Sequence, residues 1–363
     1  MAIEFNGTLS DRPRIRAGFV GCGSHSYRNI YPALQFAPVE LVATCDLQRD
    51  KAGAFARQFG AERAYDDYHR MLDAEQLDAV FIVTGYDEQG RPSSPSIAVD
   101  VLGAGCHVWM EKPPAATCAD VDRMIQAAQR NQRHGMVGFK KMFFPANEKA
   151  YAITHADDFG PLHLATFQYP QHVPTVDDMH RYFDGERVAG VVSFLDHLCH
   201  PMSLALYLLG MPDRLYYERT SAGGGAVTLT YDSGVVGQLA LTHGQAGGND
   251  MERTVLVGDN RHVVVENNIR VWDRRPPRLQ GYGRSPSYYA GEDDGSRFWE
   301  PEFSLGQLYN KSLFIQGFYG EITEFANAIL ENRAPAKGTL AQARQVTQVF
   351  EAFAHGPGQV IAL

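Results

Sequence analysis

This chain has little of what marks several functional classes. Its cysteines, Cys22, Cys45, Cys106, Cys118 and Cys199, are few, odd in number and never arranged as C-x-x-C. That argues against a disulfide framework or a zinc site and suits reduced thiols in a cytoplasm. It has no basic block, and its net charge is −9, which argues against a nucleic-acid partner. No apolar run approaches the roughly 18–20 residues that span a bilayer, so no membrane partner is expected. The opening "MAIEFNGTLSDRPRIR" lacks the apolar core of a secretory signal. Repeats and low-complexity tracts are absent.

What is present suits a large globular core. The 363 residues are enough for about two domains, and 44% are hydrophobic against 21% charged. Over the first 140 residues short apolar runs alternate with helical patterns: "IRAGFVG" (15–21), "ELVATCD" (40–46), "DAVFIVTG" (78–85), "CHVWMEKP" (106–113) and "RHGMVGF" (133–139). The runs mostly lack in–out alternation, as parallel strands buried on both faces do. "LQRDKAGAFARQFG" reads as a helix closed by Gly60. In "TCADVDRMIQAAQRNQ", Thr117 and Asp120 have capping-box spacing, and Val121, Met124, Ile125 and Ala128 form one apolar face. Alternating βα units predict a doubly wound parallel sheet, a Rossmann domain, over 1–140.

From about residue 160 the texture changes. "GPLHLATFQYP", "DRLYYERT", "GAVTLTYDSGVVGQLALTHG" and "ERTVLVGDNRHVVVENNIRVW" are strand-like runs broken by D-S-G and G-D-N turns, and predict a mostly antiparallel sheet in a second domain, 141–338. Residues 274–312 show little periodicity, and their aromatics (Tyr282, Tyr288, Tyr289, Phe298, Trp299) favour a packed loop. Two helices close the chain. The second, 339–356, is expected to pack back on the first domain.

Three constellations carry chemistry. In the first, "AGFVGCGSHSYRNIYPALQ" places Gly21 after a strand, Gly23 two residues on and a helical pattern beyond, while Asp46 ends the next strand. A dinucleotide site needs this layout: glycines for the tight turn and for close approach of the pyrophosphate, helix N–H groups for the anion, and a carboxylate for the ribose hydroxyls. Asp46 favours NAD over NADP, and Arg49 softens that preference. Serine stands at the third glycine position, so Ser24 and Ser26 are candidate phosphate contacts. His25 reads either as a cofactor contact or as a cap of the first helical turn. Thr84, Gly85 and Glu111, at later strand ends, complete the cofactor candidates.

The second is "HVWMEKPPA", which puts Glu111, Lys112 and Pro113 at a strand's C-terminal end, where open α/β sheets bind ligands. The ammonium of Lys112 suits an alkoxide; the alternative is a solvated lysine paired with Glu111. The third is "GVVSFLDHLCHPMSLALYLLG", where Asp196 and His200 are four apart on one helical face, next to Pro201, which predicts a kink. Histidine is the commonest general base, and Asp196 is placed to orient it. Capping within the fold, or a metal held by Asp196, His197 and His200, are the alternatives. No other Cys/His set completes a metal site, so no metal is expected.

The glycine turn, E-K-P at Lys112 and D-x-x-x-H at His200, together with "VGFKKMFFP" and the closing "FYGEITEFANAILENRAPAKGTLAQARQVTQVFEAF", resemble the Gfo/Idh/MocA oxidoreductases over nearly the whole chain. The resemblance implies a Rossmann domain and an open-faced sheet domain. It also implies NAD or NADP, and hydride exchange with a hydroxyl carbon of a sugar, inositol or related polyol. Lys112 would then bond the reacting oxygen, with His200 the acid/base and Asp196 its partner. Four segments depart from the family pattern: Ser26, Gly190-Val191-Val192, "TGYDEQGRPSSPS" and Lys141-Met142-Phe143. Transient oxidation by tightly bound NAD, for epimerisation or glycoside cleavage, and a non-catalytic nucleotide sensor are the competing functions. His172, His180, Arg181, Tyr182 and His243 are candidate substrate contacts or ordinary surface. An exposed sheet face needs covering, so a homodimer or homotetramer is expected.

Overall fold

The computed structural model describes residues 13–276, 295–301 and 311–363. In chain order, β1 (Ile15–Val20) leads through a π-helical turn (Ser26–Ile30) to α1 (Tyr31–Leu34). Then come β2 (Val39–Cys45), α2 (Arg49–Phe59), β3 (Arg63–Tyr65), α3 (Tyr68–Ala74), β4 (Ala79–Ile82), α4 (Ser94–Gly103), β5 (His107–Met110), α5 (Cys118–Asn131) and β6 (Gly135–Val137). Next are α6 (Pro145–Thr154), β7 (Leu162–Tyr169), α7 (Val176–Phe183), α8 (Ala189–Leu209), β8 (Arg214–Arg219), β9 (Gly225–Thr230) and β10 (Val236–Leu241). β11 (Arg253–Gly258), β12 (Arg261–Glu266), β13 (Arg270–Arg274), β14 (Arg297–Trp299), α9 (Lys311–Ile315), α10 (Phe318–Leu330), α11 (Leu340–Ala352) and β15 (Val360–Ala362) follow. The chain divides into two compact units, one of Met1–Lys140 with Gly317–Thr347 and one of Lys141–Gln316 with Gln348–Leu363.

The first unit is built on a parallel sheet in the order β3-β2-β1-β4-β5-β6, the doubly wound arrangement expected from the sequence. β1, β4 and β5 bury residues on both faces, and Phe19, Phe81 and Trp109 fill the centre. Thr117 accepts the Asp120 N–H at 3.2 Å to cap α5, and Gly60, at φ 82°, ends α2. β3 was not anticipated; "RAY" is too short to show a period.

The sequence reading gives 317–338 to the second domain and packs 339–356 back on the first, whereas α10 and α11 as far as Thr347 belong to the first unit and Gln348 onward to the second. The cause is the apolar stripe of Phe318, Ile322, Phe325 and Ala326 at helical spacing. It packs α10 on β1 and β5, with the Phe325 ring 5.6 Å from that of Phe81.

The second unit holds a sheet in the order β14-β13-β12-β11-β7-β10-β9-β8-β15. All neighbours are antiparallel except β7 and β10. The D-S-G and G-D-N turns place Gly234 at φ 88° and Asn260 at φ 54°. α8 runs 21 residues, continuing through Pro201. By length and composition it is apolar enough to cross a membrane, so the expectation that no segment reaches that length needs correcting; 78% of its 18-residue apolar window is buried within the fold. Tyr282, Tyr288 and Tyr289 lie outside the described residues. Phe298 sits on β14, its ring 4.4 Å from that of Trp272.

Candidate active site

The candidate nucleotide residues lie in the first unit, at the C-terminal ends of β1, β2, β4 and β5. Gly21 adopts φ 107°, and a Cβ there would stand 1.9 Å from the Val83 carbonyl oxygen, so only glycine makes this turn. Its N–H donates to the Cys45 carbonyl at 2.8 Å. Asp46 fixes the same turn: one carboxylate oxygen accepts the Cys22 N–H at 2.9 Å and the other the Gln48 N–H at 3.0 Å. Lone pairs remain on both oxygens for further donors. Arg49 lies 3.7 Å from Asp66, an anchor the sequence reading did not foresee.

These residues fit a dinucleotide. A Cβ on Gly23 or Gly85 would meet nothing within 4 Å, so the backbone there lies open to close approach. The hydroxyls of Ser26 and Thr84 are buried with no hydrogen-bond partner among the described residues, and Ser24 is exposed beside them. The π-turn starting at Ser26 widens the helix at this point; such turns recur at functional sites.

His25 makes no capping bond. Its ring lies between Asn29 Nδ2, 3.1 Å from Nδ1, and Glu111 Oε1, 2.8 Å from Nε2. Asn29 donating to Nδ1 leaves the ring proton on Nε2, which donates to Glu111. The other Glu111 oxygen accepts the peptide N–H of Lys112 at 3.0 Å. Glu111 therefore acts on this edge through His25 and the Lys112 backbone. Lys112 itself is half-buried, followed by a cis bond to Pro113. "TGYDEQGRPSSPS" forms a tight excursion in which Asp87 accepts the Arg91 N–H at 2.7 Å before α4 begins.

The Asp196 and His200 candidates lie in the second unit. α8 places Asp196 one turn before His200, and Asp196 Oδ2 is 3.7 Å from His197 Nδ1. The Tyr169 ring, at the end of β7, is 6.0 Å from that of His200. Burial pushes the Tyr169 hydroxyl well above its ordinary range, and the charges of Glu252 and Asp196 push it further. His200 borders a small depression lined also by Tyr169, Lys141, Glu252 and Asn268.

Lys141 is the residue the sequence reading undervalued. It is buried, and its ammonium lies 2.5 Å from Glu252, which also accepts from Asn268 at 2.8 Å. Its only sequence signal was its place in Lys141-Met142-Phe143. Among the other candidate contacts, Tyr182 is buried in the core, His180 donates to the Ala354 carbonyl at 2.9 Å and Arg181 pairs with Glu186. His172 and His243 come together, their rings 5.1 Å apart.

Comparison with known proteins agrees with the fold of the two units. The model of an oxidoreductase family with an NAD-binding Rossmann fold, GFO_IDH_MocA, matches residues 15–139, and that of the GFO/IDH/MocA C-terminal domain matches 148–264. A D-apiose dehydrogenase of Paraburkholderia graminis is 34% identical over 125 residues, which is 34% of this chain and only about a third, 32%, of that protein's length. A D-xylose 1-dehydrogenase (NADP(+)) of Haloferax volcanii is 27% identical over 61% of this chain and 67% of its own. The crystal structure of a dehydrogenase from Chromobacterium violaceum superposes with a TM-score of 0.78 at 21% identity, covering 95% of this chain and 96% of that one. With both family domains matched in order along a doubly wound sheet and a mostly antiparallel one, this chain belongs to the Gfo/Idh/MocA oxidoreductases.

Proposed function

We propose that the chain is an NAD-dependent dehydrogenase of a sugar, inositol or related polyol. The observation that carries this reading is the strand-end edge of the first unit. There a turn open only to glycine is pinned by Asp46 beside two buried hydroxyls without a partner among the described residues, and Lys112 follows β5 at the same edge. The bound nicotinamide supplies the hydride acceptor or donor. Gly23, Ser24, Ser26 and Thr84 would hold its phosphates and neighbouring groups, and Asp46 its ribose. The Lys112 ammonium bonds the reacting oxygen and stabilises charge developing on it. His200 removes or returns the hydroxyl proton, and Asp196 orients its imidazole. Near His200, the buried Lys141 charge is already paired to Glu252, which supports an uncharged polyhydroxylated substrate over a strongly anionic one. A screen of sugars, inositols and sugar acids with NAD and NADP, followed by absorbance of the reduced cofactor, tests the reading; no turnover with any of them counts against it.

Cofactor preference is assigned to Asp46. Asp46→Ser removes both a charged acceptor for the ribose and the partner of the Cys22 N–H. NAD+ binding is expected to weaken by about 10–100-fold, with NADP+ binding improved. Equilibrium titration of both cofactors measures this, and unchanged NAD+ affinity would remove Asp46 from the site.

We also propose a homo-oligomer. Leu164 and Val236 are register partners on β7 and β10, 40% and 36% exposed. Light scattering is expected to give a dimer or tetramer; a monomer at micromolar concentration contradicts this.

A further inference from the structure

The first turn of α10 carries a carboxyl that the proposed chemistry does not use. Glu321 is fully buried, and neither of its oxygens has a hydrogen-bond partner among the described residues. The charged groups acting on it are Glu111, at the end of β5, and Lys140, beyond β6; β1 and α1, which also pack on α10, bring none that does. Three residues earlier, Phe318 has the Lys140 ammonium 4.9 Å from its ring centre and the His25 ring at 5.9 Å, edge on. The helix thus delivers a second acid to the Glu111–His25 pair. Burial first, and then the Glu111 charge, push the Glu321 carboxyl well above the ordinary carboxylate range, against the opposing pull of Lys140. A buried carboxyl whose two oxygens have no partner among the described residues keeps its proton, because charging it there is costly. The chain of contacts reaches solvent at His25, whose side chain is 41% exposed.

We propose that Glu321 is a positioning residue that weights the cofactor site by redox state, favouring the oxidised, cationic nicotinamide ring over the reduced, neutral one through Glu111 and His25. The inference rests on the dehydrogenase reading for its ligand. A cation brought to the edge where Glu111 and Lys112 lie makes a second negative charge tolerable, so Glu321 releases its proton as NAD+ binds. The neutral ring of NADH gives no such compensation. Linkage then requires NAD+ affinity to rise with pH as Glu321 loses its proton, while NADH affinity does not.

Calorimetric titration of the full chain with NAD+ and with NADH, from pH 6 to 9 in two buffers of different ionisation enthalpy, reads both affinity and protons released. More protons are expected to leave with NAD+ than with NADH, and the ratio of the two affinities is expected to rise about tenfold across the range. Glu321→Gln keeps the shape but cannot ionise; it is expected to flatten the ratio and abolish the excess release, which a purely structural role would not do. A pH-independent ratio in the unmodified chain, or a Gln variant with unchanged ratio and proton count, overturns the proposal. If that variant does not fold, Glu111→Gln, which removes the charge through which Glu321 acts, is read the same way. Binding of neither dinucleotide overturns this inference together with the dehydrogenase reading; binding of both without a pH-dependent preference overturns this inference alone.

Discussion

Lys112→Ala and His200→Ala are each expected to lower kcat by about 10²–10⁴-fold, the range for removing a positioned proton-transfer group. NAD+ affinity should stay within about threefold in both. For Lys112 the reason is that its peptide N–H, which Glu111 accepts at 3.0 Å, survives truncation of the side chain. For His200 it is that α8 belongs to the other compact unit. Steady-state kinetics on the substrate found by screening, paired with cofactor titration, separates the two effects. A variant that keeps more than a third of wild-type kcat removes that residue from the chemistry. A variant that loses cofactor affinity and kcat together points instead to damage at the nucleotide edge.

The glycine turn supports an equally large effect of a different kind. Gly21→Ala forces a Cβ against the Val83 carbonyl oxygen, a backbone atom that cannot swing away, at a φ that L side chains rarely adopt. A loss of about 3 kcal/mol or more in folding stability is expected, because β1 and β4 must part to make room. Gly23→Ala is the control. Its Cβ meets no protein atom within 4 Å, so stability should change by less than about 1 kcal/mol while dinucleotide binding is lost. Urea denaturation with and without NAD+ distinguishes them. Equal destabilisation by both would mean that the second glycine serves the fold and not the ligand.

Much of this was legible in the sequence where the signal is local. The parallel strands read as short apolar runs mostly without in–out alternation, Gly60 and Thr117 mark helix ends, and two glycines after a strand with Asp46 beyond the next mark the turn. Local patterns could not show who meets whom. His25 finds Glu111 86 positions away, and Lys141 finds Glu252 111 positions away; only the folded sheets bring these pairs together. Glu321 read as an ordinary polar residue of an amphipathic helix because its apolar neighbours set the period. Its burial follows from α10 joining the first unit, which no composition shift announced. The parallel pairing of β7 with β10 is likewise set by a long crossover that strand-like texture does not encode.

The position of α10 also imposes a schedule on synthesis. The parallel sheet has all its strands by Val137, but the helix that covers Phe81 begins at Phe318. At the ~5–20 residues per second of ribosomal elongation, that cover arrives roughly 10–35 s after the last strand. During that interval Phe81 lacks the cover of the Phe325 ring.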